Sequence, residues 1–156
     1  MMLRKIILLT LALFLTACGE DENAPYLSFA GGGFVFNYRN AEAFYGFIAK
    51  PLRTLPEGSV IEAQFEVPGK PEPAVEQEKV VQGRVQYSFK SPLLTGIEAK
   101  RDYKAVMRLI DAQGKEVARY ERNFHTDVDQ ASLPNQPLVV GPGYQKNPEL
   151  KPGTLN

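Results

Sequence analysis

The sequence predicts an all-β protein built as an antiparallel β-sandwich, and three observations carry that prediction. Apolar and polar residues alternate with the strand period of two in run after run. Turn signals separate these runs at short, regular intervals. No window holds a helical stripe longer than two turns, so several short strands must pack as a sandwich or barrel.

Taken in chain order, the first runs are aromatic. Phe34, Phe36 and Tyr38 fall on one face of a strand, and after the polar turn Arg39-Asn40-Ala41-Glu42 the residues Phe44, Tyr45 and Phe47 occupy both faces of the next. Ser59 to Val67 alternates best, with Ile61, Ala63, Phe65 and Val67 on one side and Glu62, Gln64 and Glu66 on the other. Arg84 to Lys90 predicts a strand with Val85, Tyr87 and Phe89 inward. Tyr103 to Ile110 groups Tyr103, Ala105, Met107 and Leu109, and Glu116 to Phe124 groups Ala118, Tyr120 and Phe124. Pro56-Glu57-Gly58, Pro68-Gly69, Gly83 and Gln113-Gly114 punctuate the runs. Gly31-Gly32-Gly33 leads into Phe34-Val35-Phe36 and lacks the lysine and hydroxyl of a phosphate loop, so it reads as a bulge or sharp bend.

The segment Ile97-Glu98-Ala99-Lys100-Arg101-Asp102-Tyr103 has an apolar residue, a small one two later and a Tyr four after that, opening a strand. It resembles the L-x-P-x-x-x-Y tyrosine corner of fibronectin type III and related immunoglobulin-like sandwiches, with Ala99 in place of the usual Pro. The resemblance implies a structural role for Tyr103, whose hydroxyl would bond back to the loop and pin the crossover between sheets. Pro25 to Val128 spans 104 residues, close to the roughly 100 of such domains. No Trp and only one Cys are present, so an antibody-type core with its Trp and disulfide is excluded. The expected fold is therefore an immunoglobulin-like, fibronectin III-like antiparallel β-sandwich over residues 25–129. Beyond it, residues 130–156 hold five of the twelve prolines and read as an extended or disordered tail, with Pro137 to Val140 able to add a short edge strand.

The N-terminus carries the most specific motif. Arg4 and Lys5 precede Ile6 to Leu15, ten residues in which only Thr10 is polar. That run has the length of a secretory core and falls short of the roughly 20 apolar residues needed to cross a bilayer. Leu15-Thr16-Ala17-Cys18 follows and resembles the bacterial lipoprotein lipobox: an aliphatic residue, two small ones, then the cysteine that becomes residue one. The resemblance implies a signal peptide over 1–17, a diacylglyceryl thioether on Cys18, and a third acyl chain on its amine in a Gram-negative host. Two or more chains anchor stably where one does not. Gly19 stands where lipoproteins retained at the inner membrane commonly carry Asp, which implies the periplasm-facing leaflet of the outer membrane in such a host. Residues 18–24 read as the lipidated terminus and a short acidic tether.

Charge and composition exclude other classes. With the signal removed, sixteen basic residues face eighteen acidic ones, so no basic excess exists to bind nucleic acid. One Cys and one His cannot build a four-ligand zinc site. His125, Asp127 and Asp129 alternate along a strand end but lack the glycine turn and terminal glutamate of a calcium loop. Ser59 is not in a nucleophile elbow, and Glu76 and Glu78 lie in a charged run typical of a solvated edge. No catalytic residue, metal ligand or cofactor is assigned, beyond the covalent lipid on Cys18.

The candidate site is the segment Phe34 to Phe47, which holds six of the fifteen aromatics that follow the signal and so exceeds what one buried sheet face needs. Two readings stand. Either the tail covers it through Leu138 to Val140 or Tyr144, or Tyr38 and Tyr45, rimmed by Arg39 and Glu42, form a surface for a partner. The expectation is a lipid-anchored, non-catalytic envelope module that binds another protein, with glycan or small-ligand binding on the same tyrosines as the alternative and a hydrolase as a third class.

Overall fold

A computed structural model describes residues 23–150; the expected signal peptide over 1–17, Cys18 and most of the expected tether lie outside the described residues. Among them are β1 (Leu27–Asn37), β2 (Glu42–Pro51), β3 (Val60–Phe65), β4 (Ala74–Lys79), β5 (Tyr87–Lys90), β6 (Tyr103–Ile110), β7 (Glu116–Phe124), β8 (Val139–Val140) and β9 (Gln145–Lys146). A short 3-10 turn, Gln130–Ser132, is the helical element among the described residues. The protein is all-β, and every strand pair is antiparallel.

One sheet has the order β1-β2-β5 and the other β4-β3-β6-β7. Period-two alternation turns Ala43, Tyr45, Phe47, Tyr87 and Phe89 of the first toward Ile61, Ala63, Phe65, Ala105, Met107 and Leu109 of the second, and all are buried in one core. Three hairpins stay within a sheet: β1-β2, β3-β4 and β6-β7. Two of the turns have a visible local cause. Asn37 accepts the backbone N–H groups of Arg39 and Asn40, and Asp111 accepts those of Gln113 and Lys115, folding both turns over a side-chain oxygen.

The remaining connections cross between sheets, and tyrosine hydroxyls tie two of these crossovers, the sheets themselves and the chain's entry. Tyr45 is fully buried on β2, and its hydroxyl donates toward the carbonyls of Glu66 at 3.1 Å and Lys104 at 3.0 Å, which belong to the other sheet's end. Burial first, and the nearby Glu66 carboxylate second, push its ionisation up, so it remains a donor. Tyr87 takes the Val81 N–H at 2.9 Å and donates to the Val81 carbonyl at 3.1 Å, pinning the β4-β5 crossover. Tyr103 opens β6 and takes the Glu98 N–H at 2.8 Å, tying the β5-β6 crossover. On β7, Tyr120 takes the Tyr26 N–H at 2.9 Å, fixing where the chain enters β1.

Three expectations need correction. The strand predicted from Arg84 begins only at Tyr87, where β2 first offers a partner in Ala49. Residues 80–86 are crossing between sheets, so Val85 points out and is 74% exposed. The C-terminal segment is packed rather than extended free of the domain: Leu133 is buried in the core, Gln130 N–H bonds the Ile97 carbonyl, and β8 pairs with β9. Its residues 139–140 therefore form a separate two-stranded hairpin, not an edge of either main sheet.

Glycines at the β1-β2 contact are not interchangeable. A bulge between Phe29 and Gly31 offsets the register, and a Cβ on Gly32 (φ 150°) would lie 2.5 Å from the Gly46 carbonyl oxygen. A Cβ on Gly46 would lie 2.4 Å from the Phe89 carbonyl oxygen, whereas one on Gly33 meets nothing within 4 Å. Urea unfolding is expected to give a clear loss for Gly46→Ala and none for Gly33→Ala; equal midpoints would contradict this packing. Tyr45→Phe is expected to cost about 1–3 kcal/mol, the loss of a buried hydroxyl that satisfies two carbonyls, with the far-ultraviolet spectrum unchanged.

Candidate interaction surface

The strand register defines two outer faces of opposite chemistry. On the four-stranded sheet, Gln77, Glu62, Arg108 and Arg119 are cross-strand partners in one row. Glu62 is buried although it points away from the core, and it accepts Gln64 at 2.8 Å, Gln77 at 2.6 Å and Arg108 at 2.5 Å. Arg108 also bonds Glu116, and Arg119 reaches Glu121, which in turn meets Lys104 at 3.0 Å. Burial raises the Glu62 carboxyl, but the Gln77 and Gln64 hydrogen bonds and the Arg108 guanidinium outweigh it and hold the group below its ordinary range. Hydrogen bonds from Lys104 and then Arg119 do the same for Glu121. This face meets its polar needs internally.

The outer face of the three-stranded sheet is the reverse. Alternation from the inward Phe34, Phe36, Ala43, Tyr45 and Phe47 leaves Val35 opposite Phe44, Gly33 opposite Gly46 and Gly31 opposite Ile48 on the outside. Val35 is 46% exposed, and there is open space above Gly31 and Gly33. Lys90 lies 5.8 Å from the Phe44 ring at one margin. The face is apolar at its centre, with Ser88 opposite Ile48 and the charged Glu42, Lys50 and Lys90 toward its margins. Alternation along each strand makes it readable in principle, but only the β1-β2 register shows which small residues stand side by side.

At the end of this face lies the turn that the sequence singled out. Tyr38 is 48% exposed, with its hydroxyl 3.5 Å from Ser132 Oγ, and Arg39 is also exposed. Glu42 is half-buried and sits 3.5 Å from Asn40 Nδ2. The C-terminal segment docks here: Leu138 N–H bonds the Arg39 carbonyl at 2.7 Å, and Asn147 ties the hairpin through the Pro137 carbonyl. Asn40, Glu42, Val139 and Tyr144 then line a depression of about 360 Å³. Tyr45 does not belong to this surface. Its ring faces the core, stacked 5.0 Å from Phe34 and edge-on to Phe65 at 5.3 Å, so it cannot serve as a ligand platform. The tail thus covers the turn's backbone while leaving the Tyr38 ring half open, and neither earlier reading holds for the segment as a whole.

Four of the other residues considered for chemistry have structural partners, whereas the Ser59 hydroxyl is buried without one among the described residues. Asp129 accepts the Ala99 N–H at 2.6 Å, and His125 lies 3.6 Å from Asp102. Glu76 accepts the Lys90 N–H at 2.9 Å and Glu78 pairs with Arg84, so both carboxylates close the seam between β4 and β5. Among the described residues no group of three or more His, Cys, Asp or Glu converges on a point, and no helix is long and apolar enough to cross a membrane.

Glu62 sets a pH dependence. Its carboxyl is lowered on folding from an ordinary 4.5, so its contribution is complete above that value and is lost as pH falls through the folded-state value. Wild-type stability should therefore drop as pH falls below the ordinary 4.5, and Glu62→Gln should make that slope shallower. Urea midpoints across the range decide it; an unchanged slope would contradict the assignment. No protein-family model matches the sequence, and neither does any curated protein.

Proposed function

We propose that the chain is a lipid-anchored cell-envelope protein that acts, without catalysis, as a protein-binding or assembly module on a fibronectin III-like sandwich. The fold reading draws on seven principal strands in two facing sheets and on a tyrosine at the start of the sixth whose hydroxyl bonds back into the preceding loop. It departs from an antibody constant domain in that the fourth strand lies beside the third, not beside the fifth.

The observation that carries the functional reading is the molecule's polarity. The chain reaches β1 at Tyr26, at one end of the strands, while the Tyr38 turn and the docked tail lie at the other end. An acyl anchor on Cys18 in the lipobox Leu15-Thr16-Ala17-Cys18 would hold the first end at the membrane. Tyr38 and Arg39 would then face away from it, continuous by register with the apolar Val35-Phe44 row. An exposed Tyr and Arg beside apolar surface is the composition that protein interfaces favour. In a Gram-negative host the anchor would sit in the periplasm-facing leaflet of the outer membrane, and the partner would be an envelope protein.

Two measurements test this. Intact mass of the membrane-associated protein should show loss of residues 1–17 and addition of lipid at Cys18, and Cys18→Ser should release the chain from membranes; retention would contradict the anchor. A photo-crosslinking residue at Tyr38 in intact cells should capture a discrete envelope protein. Val35→Asp should cut that yield about tenfold, the effect of losing about 1.4 kcal/mol at an interface. Undiminished yield would contradict the surface.

A further inference from the structure

The end of the molecule where the chain enters has its own surface. The β2-β3 connection, residues 52–59, and the β4-β5 connection, residues 80–86, lie there, because β2 ends and β5 begins beside the start of β1. These two connections come together around a depression of about 310 Å³. Leu52, Val81 and Val85 stand in its lining with 43%, 56% and 74% of their surfaces exposed. Aliphatic side chains this open on crossover loops are not explained by the core, which the crossovers leave to Leu55 and Tyr87.

The same lining carries cations. Lys50, Arg53 and Arg84 belong to it, and among its described residues none is acidic. Two of the guanidiniums are held in place by aromatic faces: Arg53 lies 3.7 Å from the Tyr26 ring centre and Arg84 lies 4.5 Å from that of Tyr87. Arg84 is also paired with Glu78 at the margin. Fixed cations around exposed aliphatic tips match a surface that is anionic outside and apolar just beneath, as headgroups over acyl chains are.

Distance favours the same occupant. The seven residues 18–24 can span at most about 25 Å when fully extended, and Tyr26 is fixed against Tyr120. An acyl group on Cys18 would therefore keep this end close to the bilayer, while the Tyr38 turn, a full strand length further along β1, is not held there by the tether.

We propose that this end, through Leu52, Val81 and Val85 with Lys50, Arg53 and Arg84, rests on the anionic bilayer surface that holds the anchor. The contact orients the domain, directing the Tyr38 turn outward. This rests on the reading of Cys18 as the lipidated residue. It adds a second membrane contact, which converts a swivelling tether into a fixed posture.

The test uses the full lipidated chain, in which the Cys18 thiol is consumed, so an introduced cysteine is the one free thiol. Val85→Cys and, at the opposite end, Tyr144→Cys are each labelled with a fluorophore. The chain is placed in vesicles of phosphatidylcholine and phosphatidylglycerol carrying a nitroxide on the acyl chain near the headgroup. Quenching at position 85 should exceed that at position 144 several-fold, and should weaken when Lys50→Glu and Arg84→Glu are combined. Equal quenching at the two positions, in a chain whose mass shows the lipid and which floats with the vesicles, overturns this proposal and leaves the anchor standing. A chain whose mass shows no lipid and which stays off the vesicles overturns both.

Discussion

The Tyr45 hydroxyl, shared between the carbonyls of Glu66 and Lys104, is the contact on which the two sheets depend for their alignment. A sandwich core is a layer of side chains that slide easily, because apolar packing has little direction. A polar bond across the core fixes the offset of one sheet against the other. Burial and the neighbouring Glu66 charge push the Tyr45 ionisation further up, so the phenol stays a donor well into alkaline pH. Tyr87, Tyr103 and Tyr120 repeat the device at the crossovers and at the chain's arrival, each with its ring packed inward and its hydroxyl on a backbone group. With neither Trp nor a second Cys in the chain, these phenols supply cross-ties of the kind that a disulfide supplies in many small secreted domains.

Fixing that alignment separates the surface into regions with different tasks. The four-stranded sheet turns outward a lattice in which Glu62 is buried and Arg108 is shared between Glu62 and Glu116. Such a face gains little from a partner, since Glu62, Arg108, Glu116, Arg119, Glu121 and Lys104 already have partners and would have to be desolvated again. The three-stranded sheet turns outward glycines, Val35 and Phe44 at its centre, where little that is polar needs to be displaced. Tyr38 and Arg39 finish that face at the end remote from the chain's arrival. The proposed membrane contact and the proposed protein contact thus occupy opposite ends, and one does not obstruct the other.

The strand pattern was readable wherever one face is apolar and the other polar, as in Ile61-Glu62-Ala63-Gln64-Phe65. The tyrosine spacing before β6 also carried through to a hydroxyl bond, Tyr103 to the Glu98 N–H. Periodicity failed at Val85, because alternation continues in a crossover that has no neighbouring strand to pair with. It failed at Tyr45 for a different reason. Tyr38 and Tyr45 have the same composition signal; β1 ends at Asn37, so Tyr38 leaves the face of Phe34 and Phe36 for the exposed turn, while the register sets Tyr45 opposite Phe34 in the core. The burial of Glu62 on an outer face, and the meeting of the loops around Lys50 and Val85, depend on strands far apart in sequence, which no local pattern encodes.

The central claim is one of orientation: the domain stands on the end where its chain enters. Neutron reflectometry of the lipidated protein on a supported bilayer containing phosphatidylglycerol reads that directly. Eleven residues of β1 set a strand length of about 36 Å. An upright domain should therefore give a dense protein layer of about that thickness, starting at the headgroups with no water gap. A layer of roughly 20 Å, the thickness of two packed sheets lying flat, or a hydrated gap beneath the protein, would contradict the account.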